Sequence, residues 1–499
     1  MPPPKILFLT SNEYGQSNVV FATAYALLLR HCTVHIASYE APHIASRVAH
    51  IIDPGNFRSS IRSRVDALNA GAYGPLPEDA IPAVFHAIES PGMIERLALD
   101  TADQQVLVHG PGVSECLRMF PKLPDVLAPW SPEEYVHGVR CFEKVVKRVD
   151  ADLVVVEKLC AQGYDACSVL GKKMVSIAPN SLKDIVAQVQ PNGFALWGIP
   201  VAASGFPYPL PWYLIPINIL LFIRMILVIV FSPKLKALGA GRKTANLPGT
   251  FPLFVPYSKD VPYILPATPE TDFKLPFIPP NIIACGPILM PSYPLEEIEP
   301  DLFAWLKQKP TVLVNLGSHY NGTKDFNRNL ATAIRILLSK LPGIQVLWKY
   351  KPNAEGVDPA LAEILSPVSS SVKVIPWLEA EPISLLCSGH IIASLHHGGA
   401  NAYFESIHAG IPQVVLPCWF DTFEYAQRVE YLGIGVWGSK GSARKLDEEE
   451  CGKALIAVVK DEGIRRKAKE LGEFIRSKYR GREEAADRIL ELAKAKEKC

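Results

Sequence analysis

Between Ile391 and Glu405 the chain reads Ile-Ile-Ala-Ser-Leu-His-His-Gly-Gly-Ala-Asn-Ala-Tyr-Phe-Glu. An apolar strand pattern ends at His396-His397, two glycines follow, and a helical pattern opens near Asn401. Gly398 and Gly399 have no Cβ, so a ligand can come close to the backbone there. A helix start presents free N–H groups and the positive end of its dipole. That combination suits a diphosphate. A histidine at the strand end can donate to the same anion, and Glu405, one turn into the helix, can accept from sugar hydroxyls. The same letters also fit a tight strand-to-helix turn capped by Asn401 that holds no ligand at all, because glycine-rich turns are common.

The elements that must position this segment follow from periodicity. Short apolar runs alternate with helical patterns twice along the 499 residues. In the first half, Lys5–Thr10, Val34–Tyr39, Asp152–Glu157 and Lys173–Ala178 read as strands, and Val19–Arg30 as a helix. In the second half, Thr311–Leu316, Val346–Lys349, Val372–Pro376, Ile391–Leu395 and Val414–Pro417 read as strands. Phe326–Lys340, Asn401–His408 and Phe423–Leu432 read as helices, and a charged helical segment ends at Arg482–Lys496. Such alternation implies α/β architecture with parallel sheets, here two Rossmann-like domains. Ligands in such sheets bind at the carboxyl ends of the strands, which is where the His-His-Gly-Gly turn falls. Residues 191–300 differ: they are crowded with proline and aromatics, and read as irregular loops around one apolar helix, then a linker near Gly286–Glu299. No internal repeat is visible.

Composition narrows the function classes. The net charge is +1, with 48% hydrophobic and 20% charged residues, a globular balance without the basic stripe that a nucleic-acid partner needs. Ten cysteines show no metal-finger or CxxC spacing, so free buried thiols in a reducing compartment are expected. The start, Met1-Pro-Pro-Pro-Lys5, runs straight into a strand without leader features. A cytoplasmic location is expected, and with it an unused sequon at Asn321-Gly322-Thr323. Trp212–Phe231 (WYLIPINILLFIRMILVIVF) tests the membrane question. Pro216, Asn218 and Arg224 interrupt it and argue against a span. A buried core helix, a helix lining an apolar pocket, and a helix making peripheral contact with a membrane surface all remain open.

Trp377, His397-Gly398-Gly399, Asn401, Glu405, Gly410-Ile-Pro412, Pro417 and Asp421 stand in the order and spacing of the family-1 UDP-glycosyltransferase signature. His-His-Gly-Gly-Ala-Asn followed by Trp419-Phe-Asp-Thr-Phe-Glu-Tyr-Ala426 resembles the fungal branch of that family. The resemblance implies a GT-B fold of two facing domains: residues 1–290 for the acceptor, 300–475 for the donor, and 476–499 as a C-terminal helix crossing back to the first domain. It implies a UDP-sugar as co-substrate and no cofactor or metal. Trp377 would stack on uracil and Leu378 would meet the base through its backbone. Glu405 would hold the ribose hydroxyls. His397, Gly398, Gly399, Asn401 and Ser318 would hold the diphosphate, and Asp421 sugar hydroxyls. Two positions depart from the pattern. Thr422 stands where the family has Gln, removing an amide contact to the sugar. Ala402 stands where it has Ser, leaving backbone to serve the phosphate.

The catalytic end departs further. Transfer with inversion needs a base that deprotonates the acceptor hydroxyl. The family places a His in the turn after the first strand, oriented by an Asp at a later strand end. Here that turn reads Asn12-Glu-Tyr-Gly-Gln-Ser-Asn18, so Gln16 replaces His, and the later strand ends in Glu157. An amide takes no proton at any working pH. Three readings follow. Glu157 is the base, its proton affinity raised by burial, and Gln16 orients the acceptor. Alternatively Glu13, or His109 in Val108-His109-Gly110-Pro111, serves. Or the chain binds a nucleotide sugar without transferring it. An ordinary Glu157 paired with Lys158 or Lys183 is the structural counterpart to the first reading. The acceptor expected is a small hydrophobic or phenolic hydroxyl compound lying near Gln16 and His109. Asp150-Ala-Asp152 precedes its strand and reads as a solvated turn. Gly433-Ile-Gly-Val-Trp-Gly438 follows a helix, so its dinucleotide-like spacing lacks the required context.

Overall fold

The computed structural model describes residues 3–52, 59–100, 108–317, 320, 322–352, 356–442 and 445–495. Ser318 and Asn321, singled out above, lie outside the described residues, as do residues 496–499. Two parallel sheets organise the chain. The first contains β1 (Lys5–Thr10), β2 (Thr33–Tyr39), β3 (Val84–Ile88), β4 (Leu153–Glu157), β5 (Met174–Ile177), β6 (Tyr263–Leu265) and β7 (Ile282–Ala284), in the order β3-β2-β1-β4-β5-β6-β7. The second contains β8 (Thr311–Asn315), β9 (Gln345–Lys349), β10 (Val372–Ile375), β11 (Ile391–His396), β12 (Gln413–Val415) and β13 (Gly435–Trp437), in the order β10-β9-β8-β11-β12-β13. Continuous apolar strands such as Leu153-Val-Val-Val156 are buried throughout, as parallel sheets covered on both faces require. Strand order reverses between β1 and β4 in one sheet and between β8 and β11 in the other. A crevice opens at such reversals, outside the carboxyl ends of the strands.

The first half holds strands that alternation alone does not announce. β3 is partly exposed, and β6 and β7 have three residues each, too short for a period-2 signal. The first helix runs Tyr14–Leu28 rather than from Val19, so Gln16 sits in a helix's first turn. The last helix, Arg482–Lys494, packs on the first domain. Ala485, Ala486 and Ile489 share a core with Ile6, Phe8 and Val20. Arg30 binds Glu483 at 2.8 Å and Asp487 at 2.9 Å.

The Ile215–Phe231 helix is not a core helix: Asn218 and Leu221 are its only fully buried residues. Its inner face packs against Phe120, Val201 and Phe206, while its outer face is open to solvent.

The domains meet through polar and apolar contacts. Asn401 Nδ2 donates to Gly15 O at 3.0 Å, Tyr14 Oη to Glu381 Oε1 at 3.0 Å, and the His109 amide to Cys418 O at 2.9 Å. Arg428 Nε donates to Asp272 Oδ1 at 2.7 Å with both side chains buried, and Lys183 pairs with Glu424. Ala178, Leu182 and Leu265 of the first domain share a core with Tyr403, Phe404 and Phe423 of the second.

Candidate functional site

The second reversal point gathers the residues that can bind an anion. β11 ends at His396, and the Ala400–Ala409 helix begins after the N-cap Gly399, with no side-chain cap. Asn401 is not the cap; it lies inside the helix and reaches the other domain. The first amides of that helix are therefore left for a ligand. Gly398 has φ +87°, and a Cβ there would lie 2.7 Å from Thr422 O. Only glycine fits this bend.

The two histidines divide their work. His396 is fully buried; its Nδ1 accepts from the Gly398 amide at 3.0 Å and its Nε2 pairs with Gln413 Oε1 at 2.8 Å. Burial pushes its pKa down to about 4, so a neutral ring braces the turn. His397 points elsewhere. Its Nδ1 is buried without a hydrogen-bond partner among the described residues. Burial, then His396 and Lys349, push its pKa down to about 3. A neutral His397 offers one N–H to an incoming anion.

Lys349, at the end of β9, supplies a cation that motif reading missed. Its Nζ lies 4.1 Å from the Trp377 ring centre and donates to Gly317 O at 3.3 Å. Gly317 in turn abuts the His397 ring: a Cβ on it would lie 2.6 Å from Cε1. Trp377 in the loop after β10, Lys349, Gly317 and His397 thus form one connected wall. A lysine closing a strand beside a glycine turn is a signal the sequence carried unread. The neighbouring Leu378 is buried, leaving its backbone as the part a base could meet.

Glu405 is buried and makes no hydrogen bond or ion pair among the described residues. Burial, then the nearby Glu381, push its pKa up to about 8. Glu381 was also missed: its Oε2 is buried and unpartnered, and burial raises its pKa. Glu405 and the free Oε2 of Glu381, whose Oε1 accepts from Tyr14, can accept from a ligand's hydroxyls. Asp421, at the start of the Thr422–Leu432 helix, is raised to about 7 by burial and then by Asp184. Ala402 lies in the first turn of its helix with no polar side chain to give. Thr422 does not face a ligand: it is fully buried, and its Oγ1 accepts from the amides of Cys418 and Trp419 and donates to Trp419 O at 2.6 Å. Its hydroxyl is used up in holding that turn.

The first reversal point has the opposite character. Ser11 follows β1 and Glu157 ends β4. Glu157 is fully buried and accepts from Ser11 Oγ at 2.8 Å and the Leu159 amide at 2.8 Å. Neither Lys158 nor Lys183 pairs with it: Lys158 donates to Val255 O, and Lys183 is held by Glu424. Burial pushes Glu157 up to about 7, against the lowering effect of those hydrogen bonds. Glu95 is likewise raised to about 7, first by burial. Glu13 accepts from the Ile94 amide at 3.2 Å, with Oε2 buried and unpartnered. Gln16 is half-buried, and its Oε1 has no partner. His109 is 1% exposed, wedged against Phe420 and Phe423 at the domain contact, with Nδ1 on Gly110 O. It is a residue of the interface rather than of an open loop.

Comparison with known proteins bears on the family and the fold. Residues 358–492 match the family model described as "Erythromycin biosynthesis protein CIII-like, C-terminal domain". The chain is 35% identical over 483 residues to the glycosyltransferase sdnJ of Sordaria araneosa, covering 91% of this chain and 90% of that one. It is 30% identical over 213 residues to the human 2-hydroxyacylsphingosine 1-beta-galactosyltransferase, covering 41% of this chain and 34% of the relative. Among solved structures, a UDP-glucosyltransferase from Polygonum tinctorium superposes with TM-score 0.65 at 16% identity, over 99% of this chain and 100% of that one. The kitacinnamycin glycosyltransferase gives 0.62 at 15%, over 98% and 99%. At these identities the structural likeness is one of fold, the two-domain GT-B arrangement.

Proposed function

The chain belongs to the family-1 glycosyltransferases, and we propose that it moves a hexose, with inversion, from a UDP-sugar to a hydroxyl of a small lipophilic or phenolic acceptor. One observation carries this reading: a neutral His397 with a free ring nitrogen, an uncapped helix start and a donor-less Glu405 converge on one glycine turn. Diphosphate on the turn and ribose on Glu405 would satisfy all three. Trp377 would stack on the base, and Lys349 beside it would balance phosphate charge.

During transfer, negative charge grows on the leaving diphosphate. The helix amides and the His397 N–H are already aimed at it and need no reorganisation. Asp421 would hold the sugar. At the other reversal point, the Gln16 side-chain amide N–H would donate to the acceptor oxygen and orient it, leaving the hydroxyl proton for transfer. Glu157 is the proposed base, since a carboxyl whose pKa is near 7 can both take and release a proton. It is enclosed, so the proton would reach it through Ser11 Oγ, which already donates to it. The hydroxyl oxygen forms the new bond to the anomeric carbon, the bond to diphosphate breaks, and the proton ends on Glu157.

The experiment is incubation with UDP-, dTDP- and GDP-hexoses and a panel of phenols, terpenoids and sterols, with nucleotide release and glycoside formation both measured. Release of UDP with a β-linked product from an α-linked donor is expected. Tight UDP-sugar binding without release under every acceptor would instead make the chain a binding protein.

A further inference from the structure

Among the described residues, the outer face of the Ile215–Phe231 helix is a large apolar surface that the glycosyl-transfer reading leaves unexplained. Trp212 is 81% exposed, Tyr213 62%, Leu220 61% and Phe231 64%, with Ile223, Leu227 and Val230 also exposed. Leu220, Ile223, Leu227 and Phe231 recur at spacings of three and four, so they line one stripe. The opposite stripe is committed to the protein. Leu214, Ile217, Phe222, Met225 and Val228 pack on the first domain. The buried Asn218 accepts from the Val201 amide at 2.8 Å and donates to Leu196 O and Ile199 O, each at 2.9 Å. A helix held along one side by protein cannot be ringed by lipid, so it does not cross a bilayer as an independent span.

The charge pattern says what the free side meets. From Ile185 to Lys259 the chain has no aspartate or glutamate, although it has 50 of them in all. Arg224 is exposed at the edge of the stripe, and Lys236 sits 5.2 Å from the Phe231 ring centre at its end. Lys234 stands close by, bound to Asp125 at 3.0 Å. At the other end, Trp212 and Tyr213 present rings that are apolar in body and polar at one edge, as residues of a membrane interface do. A second protein copy would bury these cations against their own kind. An anionic lipid surface satisfies the apolar stripe and the cations together.

We infer that the Trp212–Phe231 segment docks the protein onto anionic membrane surfaces, lying in the plane of the interface with its outer stripe among the acyl chains. The cluster under the helix reaches Phe420, which precedes Asp421 and touches His109. A docked molecule therefore holds its inter-domain contact close to the lipid surface.

Sedimentation of the full chain with vesicles tests this, using phosphatidylcholine alone and phosphatidylcholine mixed with phosphatidylserine. The chain should sediment with the mixed vesicles at an affinity about tenfold or more above that for phosphatidylcholine, as roughly 1 kcal/mol per cation implies. Salt should reduce the difference. Ile223→Glu/Leu227→Glu should lose vesicle binding while keeping the wild-type melting temperature and UDP binding, because both side chains face solvent. Lys236→Glu should keep weak binding and lose the preference for phosphatidylserine. Absence of sedimentation by folded protein, or equal binding to both vesicles, overturns the inference. So does a dimer in solution that the double variant dissociates, since a second copy would then cover the face.

Discussion

The two strand-order reversals are built alike and chemically opposed. Each ends a central strand in a short turn and launches a helix from it: β1 into Tyr14–Leu28, β11 into Ala400–Ala409. After β11 the turn is glycine, its helix is uncapped and its free histidine is neutral. After β1 the turn is lined by Glu13, Glu95 and Glu157, and two of these carry pKa values raised to about 7. In the proposed reaction one turn would receive negative charge and the other would accept a proton. Asn401 and Gly15 tie them together directly. One supersecondary unit thus takes on opposite chemical character according to the side chains placed in its turn.

Substitutions can break this contrast from either side. The largest effect is expected at the proton-accepting turn. Glu157→Gln should lower kcat by roughly 100-fold or more, the scale of general-base catalysis, and leave UDP affinity unchanged in a binding assay. An unchanged kcat excludes Glu157 as the base. Ser11→Ala should lower kcat in the same direction if the proton passes through that hydroxyl. At the anion-binding turn, Glu405→Ala should raise the Kd for UDP by roughly 10–100-fold, the worth of hydrogen bonds to a charged group, measured by calorimetry.

The sign of a pH effect sharpens the second case. Free Glu405 has its pKa raised to about 8, so ionising it costs the folded state stability as pH rises from the ordinary carboxylate range towards that value. Ribose hydroxyls would donate to the ionised form and offset that cost. The rise in Tm on adding UDP should therefore be larger just above pH 8 than well below it, and Glu405→Gln should remove the difference. Trp377→Ala should weaken UDP on the order of tenfold through lost stacking. Smallest of all, Asn401→Ala loses one inter-domain hydrogen bond, and Tm should fall by only what about 1 kcal/mol produces.

The contrast also separates what could be read from the letters. The donor turn was legible because it is local: strand, histidines, glycines, helix and Glu405 lie within fifteen consecutive residues. The two parallel sheets were legible from alternation, apart from β3, β6, β7 and β13, which are too short or too exposed to show a period. What escaped was whatever depends on tertiary proximity. Lys349 and Glu381 join the pocket from other strand ends. Asn401 reads as a cap and instead spans the domains. Thr422 stands at the family's sugar-contact position, and its hydroxyl closes its own turn instead. His109 reads as a reserve base beside the acceptor and is held between two phenylalanines of the opposite domain. The Trp212–Phe231 helix was ambiguous because hydropathy gives no hint of which side of a helix the rest of the protein covers.

A crystal structure with UDP bound tests the central claim most directly. In it, β-phosphate oxygens are expected within hydrogen-bonding distance of the Gly399–Asn401 amides and of His397, with ribose on Glu405 and uracil stacked on Trp377. A nucleotide bound away from this turn, or lying on it with Trp377 and Glu405 both out of contact, would contradict it.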